Sequence, residues 1–292
     1  TLLISHPSFL EHETGDYHPE RPDRLRAVTA ALADEEFEGL TRIIAPAATI
    51  EQLTRVHPPA YVDAILGIRP PDGELVHVDA DTVMSAGSAN AARHAAGAVV
   101  AAIDGVLGGQ ARTAFAAVRP PGHHATPDVP GGFCLFSNAA IGALHARAAH
   151  GVRRIALIDF DVHHGQGTQA VVETDPDLFY ASSHQYPLYP GTGSPRERGI
   201  EGNVVNVPLP AGSGSAAFRA AWADRLLPAL DNFAPELVVV SAGFDAHRAD
   251  PLASQQALDV GDRGVGRGRN HPAALGAENL SNKHRTAPPV ED

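Results

Sequence analysis

The chain has 292 residues, 43% hydrophobic and 19% charged, enough apolar material for one large domain or two small ones with a sizeable core. Its net charge of −12 argues against a broad nucleic-acid surface. A single cysteine, Cys134, excludes an intramolecular disulfide and a cysteine-cluster zinc site. No long uninterrupted apolar segment or signal-peptide pattern is present, so the sequence reads as a cytoplasmic protein with no membrane partner.

In chain order, short apolar runs alternate with alanine-rich amphipathic stretches, the pattern of βαβ units on a parallel sheet. Strands are expected over 1–5, 113–118, 154–161, 178–183 and 237–242, and helices over 21–32, 88–107, 138–150 and 216–230. Runs such as Ile155-Ala-Leu-Ile and Leu237-Val-Val-Val alternate little, as strands covered on both faces do. Ser137 is placed to cap the third helix through its hydroxyl. Residues 254–292 contain no Phe, Tyr, Trp, Met or Ile and balance five acidic against five basic residues. With no helix or strand period, this segment is expected to be disordered or a non-native tail from an altered reading frame.

The chemistry gathers after the strands, where open α/β sheets bind ligands. The second predicted strand leads into Arg119-Pro-Pro-Gly-His123-His124. The third ends in Asp159-Phe-Asp161-Val-His163, the fourth in Ser182-Ser183-His184, and the fifth in Ser241-Ala-Gly-Phe-Asp245. In an extended chain Asp159, Asp161 and His163 share one face. Two carboxylates and an imidazole at a strand end are costly to bury without a cation, and a mixed oxygen–nitrogen set suits Zn²⁺. Asp245 can add a carboxylate, and His123 and His124 can move protons near neutral pH. One Asp-Xaa-Asp-Xaa-His alone would read better as a solvated loop; four polar strand ends together do not.

The stretches His18-Pro-Glu-Arg-Pro, Arg119-Pro-Pro-Gly-His-His-Ala, Gly132-Phe-Cys, Ile158-Asp-Phe-Asp-Val-His-His-Gly-Gln-Gly-Thr, Tyr189-Pro-Gly-Thr-Gly and Ser241-Ala-Gly-Phe-Asp-Ala-His occur in this order. In them the sequence resembles the histone deacetylase / acetylpolyamine amidohydrolase superfamily, especially its bacterial class II-like members. The resemblance implies a three-layer α/β/α sandwich around a mainly parallel, eight-stranded sheet. It implies a deacetylase-like catalytic domain over 1–253 that lacks the last family elements. It also implies zinc-dependent hydrolysis of an N-acetyl amide on an acetylated lysine peptide, a protein or an acetylpolyamine.

By resemblance Asp161, His163 and Asp245 are the zinc ligands. His123 and His124 match the tandem histidines; of these His124 resembles the general base, and Asp159 matches the carboxylate that orients His123. Asp159 and Ser182 border a structural potassium (K⁺) site. Phe133, Tyr189 and Gly132 match the walls of the acyl-lysine tunnel. Gln166 stands where some relatives carry Asp or Asn. The family's Gly-Gly-Tyr loop follows the Asp245 strand, yet this chain has no tyrosine after Tyr189. The resemblance therefore implies a weakened deacetylase, or a non-catalytic relative that keeps the metal pocket and binds acylated ligands.

Overall fold

A computed structural model describes residues 1–247, Asp250 and the backbone of Ala274–Ala277. The strands are β1 (Leu2–Ser5), β2 (Thr41–Ile44), β3 (Val76–His77), β4 (Val83–Met84), β5 (Ala114–Ala116), β6 (Ile155–Asp159), β7 (Leu178–Gln185), β8 (Val204–Leu209), β9 (Leu237–Ser241) and β10 (Ala274–Ala277). The α-helices are α1 (Pro22–Ala31), α2 (Ile50–Leu53), α3 (Pro59–Gly67), α4 (Ser88–Leu107), α5 (Asn138–His150), α6 (Gln166–Val172), α7 (Ser215–Ala221) and α8 (Leu227–Phe233). Eight strands form one sheet in the order β2-β1-β5-β10-β9-β6-β7-β8, every neighbouring pair parallel. β3 and β4 form a separate antiparallel hairpin.

The central strands are buried on both faces, and their parity says against what. Ile155 and Leu157, Leu178 and Tyr180, and Leu237 and Val239 join the core made with α4 and α5. Ala156, Phe179, Ala181 and Val238 join the opposite core, with Leu226, Trp222, Leu230 and Phe233 from the α7–α8 rod. Helices on both faces of a parallel sheet give the α/β three-layer sandwich. Each fully buried Leu or Ile in these layers contributes roughly 1.5–3 kcal/mol.

Helices α4 and α5 match the sequence reading end to end. The fourth expected helix is a longer rod, in which α7 passes through a π turn at Trp222–Leu226 into α8. Pro228 has no N–H to close an ordinary helical turn, which accounts for the loosened ladder just before it. The missed strands β2 and β8 are the sheet's two edges. β2 is largely exposed and turns only Ile43 to the core, while β8 carries Pro208, which an open edge tolerates.

Ser137 precedes α5, but its hydroxyl accepts no capping hydrogen bond from the first turn. Its amide instead donates to His57 Nε2 at 2.9 Å. In the segment 254–292, expected to hold no regular structure, Ala274–Ala277 pairs with both β5 and β9. Without it two strands in the middle of the sheet would face each other unpaired, so backbone pairing rather than side-chain pattern selects this stretch. The rest of that expectation lies outside the described residues. Among the described residues no helix is long and apolar enough to cross a membrane.

Candidate active site

The site lies at the carboxyl ends of β5, β6 and β9. Strand β6 stops at Asp159, two residues short of the sequence expectation. The alternation of Asp159, Asp161 and His163 therefore does not extend along one strand. A turn built on carboxylates replaces it: Asp159 Oδ1 accepts from the Asp161 amide at 3.1 Å, and Asp161 Oδ1 from the His163 amide at 2.8 Å. The turn separates their roles. Asp159 faces the His123 loop, while Asp161 and His163 face Asp245, which follows β9. Val162 and Ala246 pack beneath as a small apolar cluster.

His163 Nδ1 lies 3.0 Å from Asp161 Oδ1 and 2.9 Å from Asp245 Oδ2, and the Val162 amide donates to Asp245 Oδ1 at 2.9 Å. Burial opposes a charge on His163, but the two carboxylates outweigh it and raise its pKa to about 10. Burial also opposes ionisation of Asp161, yet His123 and His163 hold its carboxyl well below the usual range. Burial and the Asp161 charge push Asp245 up to about 6. Among the described residues Asp161, His163 and Asp245 form one of two groups whose donor atoms lie within 4.8 Å of one another. In this group a proton on the imidazole is shared between two buried carboxylates, a place where a divalent cation fits by charge and by donor type. Gly243 makes room: a Cβ there would collide with Asp161 Oδ2.

His123 and His124 stand beside this group. His123 Nδ1 lies 2.9 Å from Asp159 Oδ2, which also accepts from the Tyr180 hydroxyl at 3.2 Å. His124 Nδ1 lies 2.7 Å from Gln166 Oε1, and Gln166 Nε2 donates to the His124 carbonyl at 3.2 Å. That second bond fixes the amide, so Nδ1 of His124 carries the proton and Nε2 keeps its lone pair. Burial, then the neighbouring His123, holds His124 well below the ordinary histidine pKa. Neutral and buried, it is a base rather than a cation.

Gly132 approaches the His124 ring so closely that a Cβ would collide with Cδ2, and its φ is +55°. It thus packs on the imidazole, a role that only glycine's missing side chain permits. Phe133 follows with φ +71°, a costly conformation for a bulky residue. The His18 ring meets its edge at 4.8 Å, and Thr82 Oγ1 accepts from its amide at 2.9 Å. The Tyr189 ring stands 5.0 Å from His124 and 6.4 Å from His163. Burial, then Asp81, Cys134 and Asp79, raises the Tyr189 hydroxyl to about 12. Asp159 and Ser182 are register partners on β6 and β7, and Ser182 Oγ lies 2.9 Å from His184 Nδ1.

Sequence reasoning missed the support behind the histidine loop. Arg119 is buried and donates to Glu20 Oε1 at 2.5 Å and Oε2 at 2.8 Å, to the Phe9 carbonyl at 2.6 Å and to the His12 carbonyl at 2.9 Å. This pair ties the His18-Pro-Glu motif to Arg119-Pro-Pro-Gly, and removing one partner of such a pair costs about 3–5 kcal/mol. Histidines with no partner by spacing also prove bonded: His57 to Pro127 and Ser137, and His145 and His150 to Asp104. Contacts across 41 residues or more leave no mark in local spacing.

Comparisons with known proteins identify the family. The histone deacetylase domain matches residues 18–263. The chain is 37% identical over 260 residues to a probable deacetylase of Archaeoglobus fulgidus, covering 87% of this chain and 71% of that one. It is 39% identical over 253 residues to the polyamine deacetylase HDAC10 of Rattus norvegicus, covering 82% and 43%. The crystal structure of the HDA15 HD domain superposes with a TM-score of 0.86 at 34% identity, covering 96% of this chain and 86% of that one. Fold, motif order and sequence identity lead to one assignment: the chain belongs to the histone deacetylase family.

Proposed function

We propose that the chain is a zinc-dependent deacetylase acting on an N-acetyl amide of lysine or of a polyamine, with turnover reduced by the absence of a tyrosine after Tyr189. The observation that carries this reading is the meeting of Asp161, His163 and Asp245 within 3.0 Å contacts beside a neutral His124. These three side chains would hold the zinc, which when bound supplies Lewis-acid polarisation of an amide carbonyl and acidifies water. The remaining chemistry belongs to the chain. His124, with its proton fixed on Nδ1 by Gln166, accepts the proton of the attacking water at Nε2. The same Nε2 then gives that proton to the leaving amine, while Asp159 holds His123 oriented beside it. Gly132 and Tyr189 flank His124 and, with Phe133, would exclude bulk water from an aliphatic stem. Asp159 and Ser182 are the side chains a potassium ion would use behind the site.

Asp79 and Asp81 near Tyr189, and the net charge of −12, suit a cationic substrate. The lost tyrosine is one oxyanion donor, whose absence costs about 10²–10³ in rate. That absence also favours a second reading, a non-catalytic relative that binds acylated ligands. Metal analysis combined with turnover of an acetyl-lysine peptide and an acetylpolyamine decides. About one zinc per chain with slow hydrolysis is expected. Zinc and hydroxamate binding without hydrolysis selects the second reading, and no zinc uptake defeats both.

A further inference from the structure

Behind the Tyr189 wall lies a closed ring of hydrogen bonds that the proposed chemistry does not use. Thr192 Oγ1 lies 2.8 Å from His164 Nδ1, and His164 Nε2 lies 2.8 Å from Gln169 Oε1. Gln169 Nε2 donates to Glu197 Oε2 at 2.8 Å. Glu197 in turn accepts from the Ser194 amide at 2.9 Å and the Gly193 amide at 3.2 Å, returning to the segment where the ring began. The direction of every bond follows from one acceptor-only group. An ionised Glu197 turns the Gln169 NH₂ toward itself, so Gln169 presents its oxygen to His164. His164 then carries its proton on Nε2, and Nδ1 is left to accept from the Thr192 hydroxyl. Asn206 Nδ2 donates to the same Gln169 oxygen at 2.7 Å, which reinforces that orientation.

The ring fixes the loop to a rigid platform. Gln169 lies on α6, Asn206 on the edge strand β8, and His164 directly follows His163 in the chain. Gly193, at φ +89°, rests on two imidazoles: a Cβ there would collide with His184 Nε2 and lie 2.7 Å from His164 Cγ. His184 Nε2 also donates to the Gly193 carbonyl at 3.1 Å. Tyr189, three residues before Thr192, has its ring 5.0 Å from His124 and is 41% exposed. Its ring meets His124 and His163 and its hydroxyl is hydrogen-bonded to Gln166, but the side chain is half open, so the loop that carries it shares in setting its distance from the histidines.

We propose that Thr192 and Glu197 are positioning residues, which through His164 and Gln169 hold the Tyr189 wall at the spacing that grips the aliphatic stem of the substrate. This rests on the deacetylase reading of the site and adds a specificity device to it. The ring acts on the stem and not on the reacting amide, so loosening it weakens stem binding and leaves the chemical step alone.

The test uses Thr192→Val, which keeps the side chain's shape and removes the donor, with Thr192→Ser as the rescue. On zinc-loaded protein, Thr192→Val is expected to raise KM for an acetyl-lysine peptide about tenfold, the worth of one hydrogen bond. Its kcat stays within about twofold and its zinc content is unchanged. Affinity for octanohydroxamate falls by a similar factor, affinity for acetohydroxamate, which has no stem, does not, and Thr192→Ser restores both. Equal KM and equal octanohydroxamate affinity in Thr192→Val overturn the proposal. So does a parallel loss of kcat, zinc and acetohydroxamate binding, the mark of a merely structural role. If the unaltered chain hydrolyses nothing but binds both hydroxamates, the deacetylase reading falls and the affinity comparison still decides. If it binds neither, amide exchange decides: Gly193 and Ser194 exchanging no faster in Thr192→Val overturn the ring's hold on the loop.

Discussion

Two clusters in this molecule are each built of three Asp and His side chains. Asp161, His163 and Asp245 form one, and Asp104, His145 and His150 the other, each with donor atoms within 4.8 Å of one another. In the second, His145 Nε2 and His150 Nε2 each lie 2.7 Å from the same oxygen of Asp104. What separates them is the far side of the ring. Arg55 Nη1, always a donor, lies 2.8 Å from His145 Nδ1 and fixes the imidazole proton on Nε2, where a metal would need a lone pair. Asp104 is half exposed, and water can solvate its charge. In the first cluster, by contrast, two carboxylates compete for one imidazole proton, and the side chains of Asp161 and Asp245 are 2% and 7% exposed. Burial and a second carboxylate set apart the cluster proposed to hold the metal.

Metal content is where the contrast breaks most visibly. Asp161→Ala or His163→Ala should take zinc from about one per chain to none, while Asp104→Ala leaves it unchanged. Zinc retained in either of the first two variants would remove the ligand assignment. Next in size is His124→Ala. It should keep the metal, since His124 lies outside the ligand group, and slow any residual hydrolysis by about 10²–10⁴-fold. Unchanged turnover at equal zinc would take the base role away from His124.

Much of this contrast was legible in the sequence at one end and hidden at the other. Helices α4 and α5 and the central strands follow from long apolar periods buried on known faces. The convergence of β5, β6 and β9 follows from the rule that ligands gather at strand ends. The carboxylate-built turn after Asp159 was not legible, because strand alternation puts Asp159, Asp161 and His163 on one face, whereas the turn parts Asp159 from the other two. The edges β2 and β8 were hidden because half-exposed strands carry weak patterns. Arg119 with Glu20, 99 residues apart, Arg55 with His145, 90 apart, and His164 with Thr192, 28 apart, are pairings that only the folded chain makes.

Buried neutral histidines extend the comparison to pH. His57 bridges the Pro127 carbonyl and the Ser137 amide at 2.8 and 2.9 Å, and burial lowers its pKa to about 4. Its folded value lies below its unfolded value, so the unfolded chain takes up the proton first as pH falls. The stability it contributes is complete above about pH 6.5 and is lost progressively toward about pH 4, on the order of 3 kcal/mol across that window. Urea midpoints at pH 7, 5.5 and 4.5 should show a shallower acid slope in His57→Gln than in the unaltered chain. Equal slopes would place the acid sensitivity elsewhere.

The smallest expected effect belongs to the second cluster and is the sharpest check on the logic. Burial works against the Asp104 charge, but hydrogen bonds from His150 and His145 outweigh it and lower the carboxyl's pKa. With half of that side chain in water, most of the gain is screened, as for an exposed ion pair. Asp104→Asn should therefore cost less than about 1 kcal/mol, shrinking further in high salt, with zinc content and hydrolysis unaltered. A large loss of stability would mean that the cluster is desolvated in solution. A loss of zinc would mean that Arg55 leaves His145 when metal is offered, and the distinction between the two clusters by their proton positions would no longer hold.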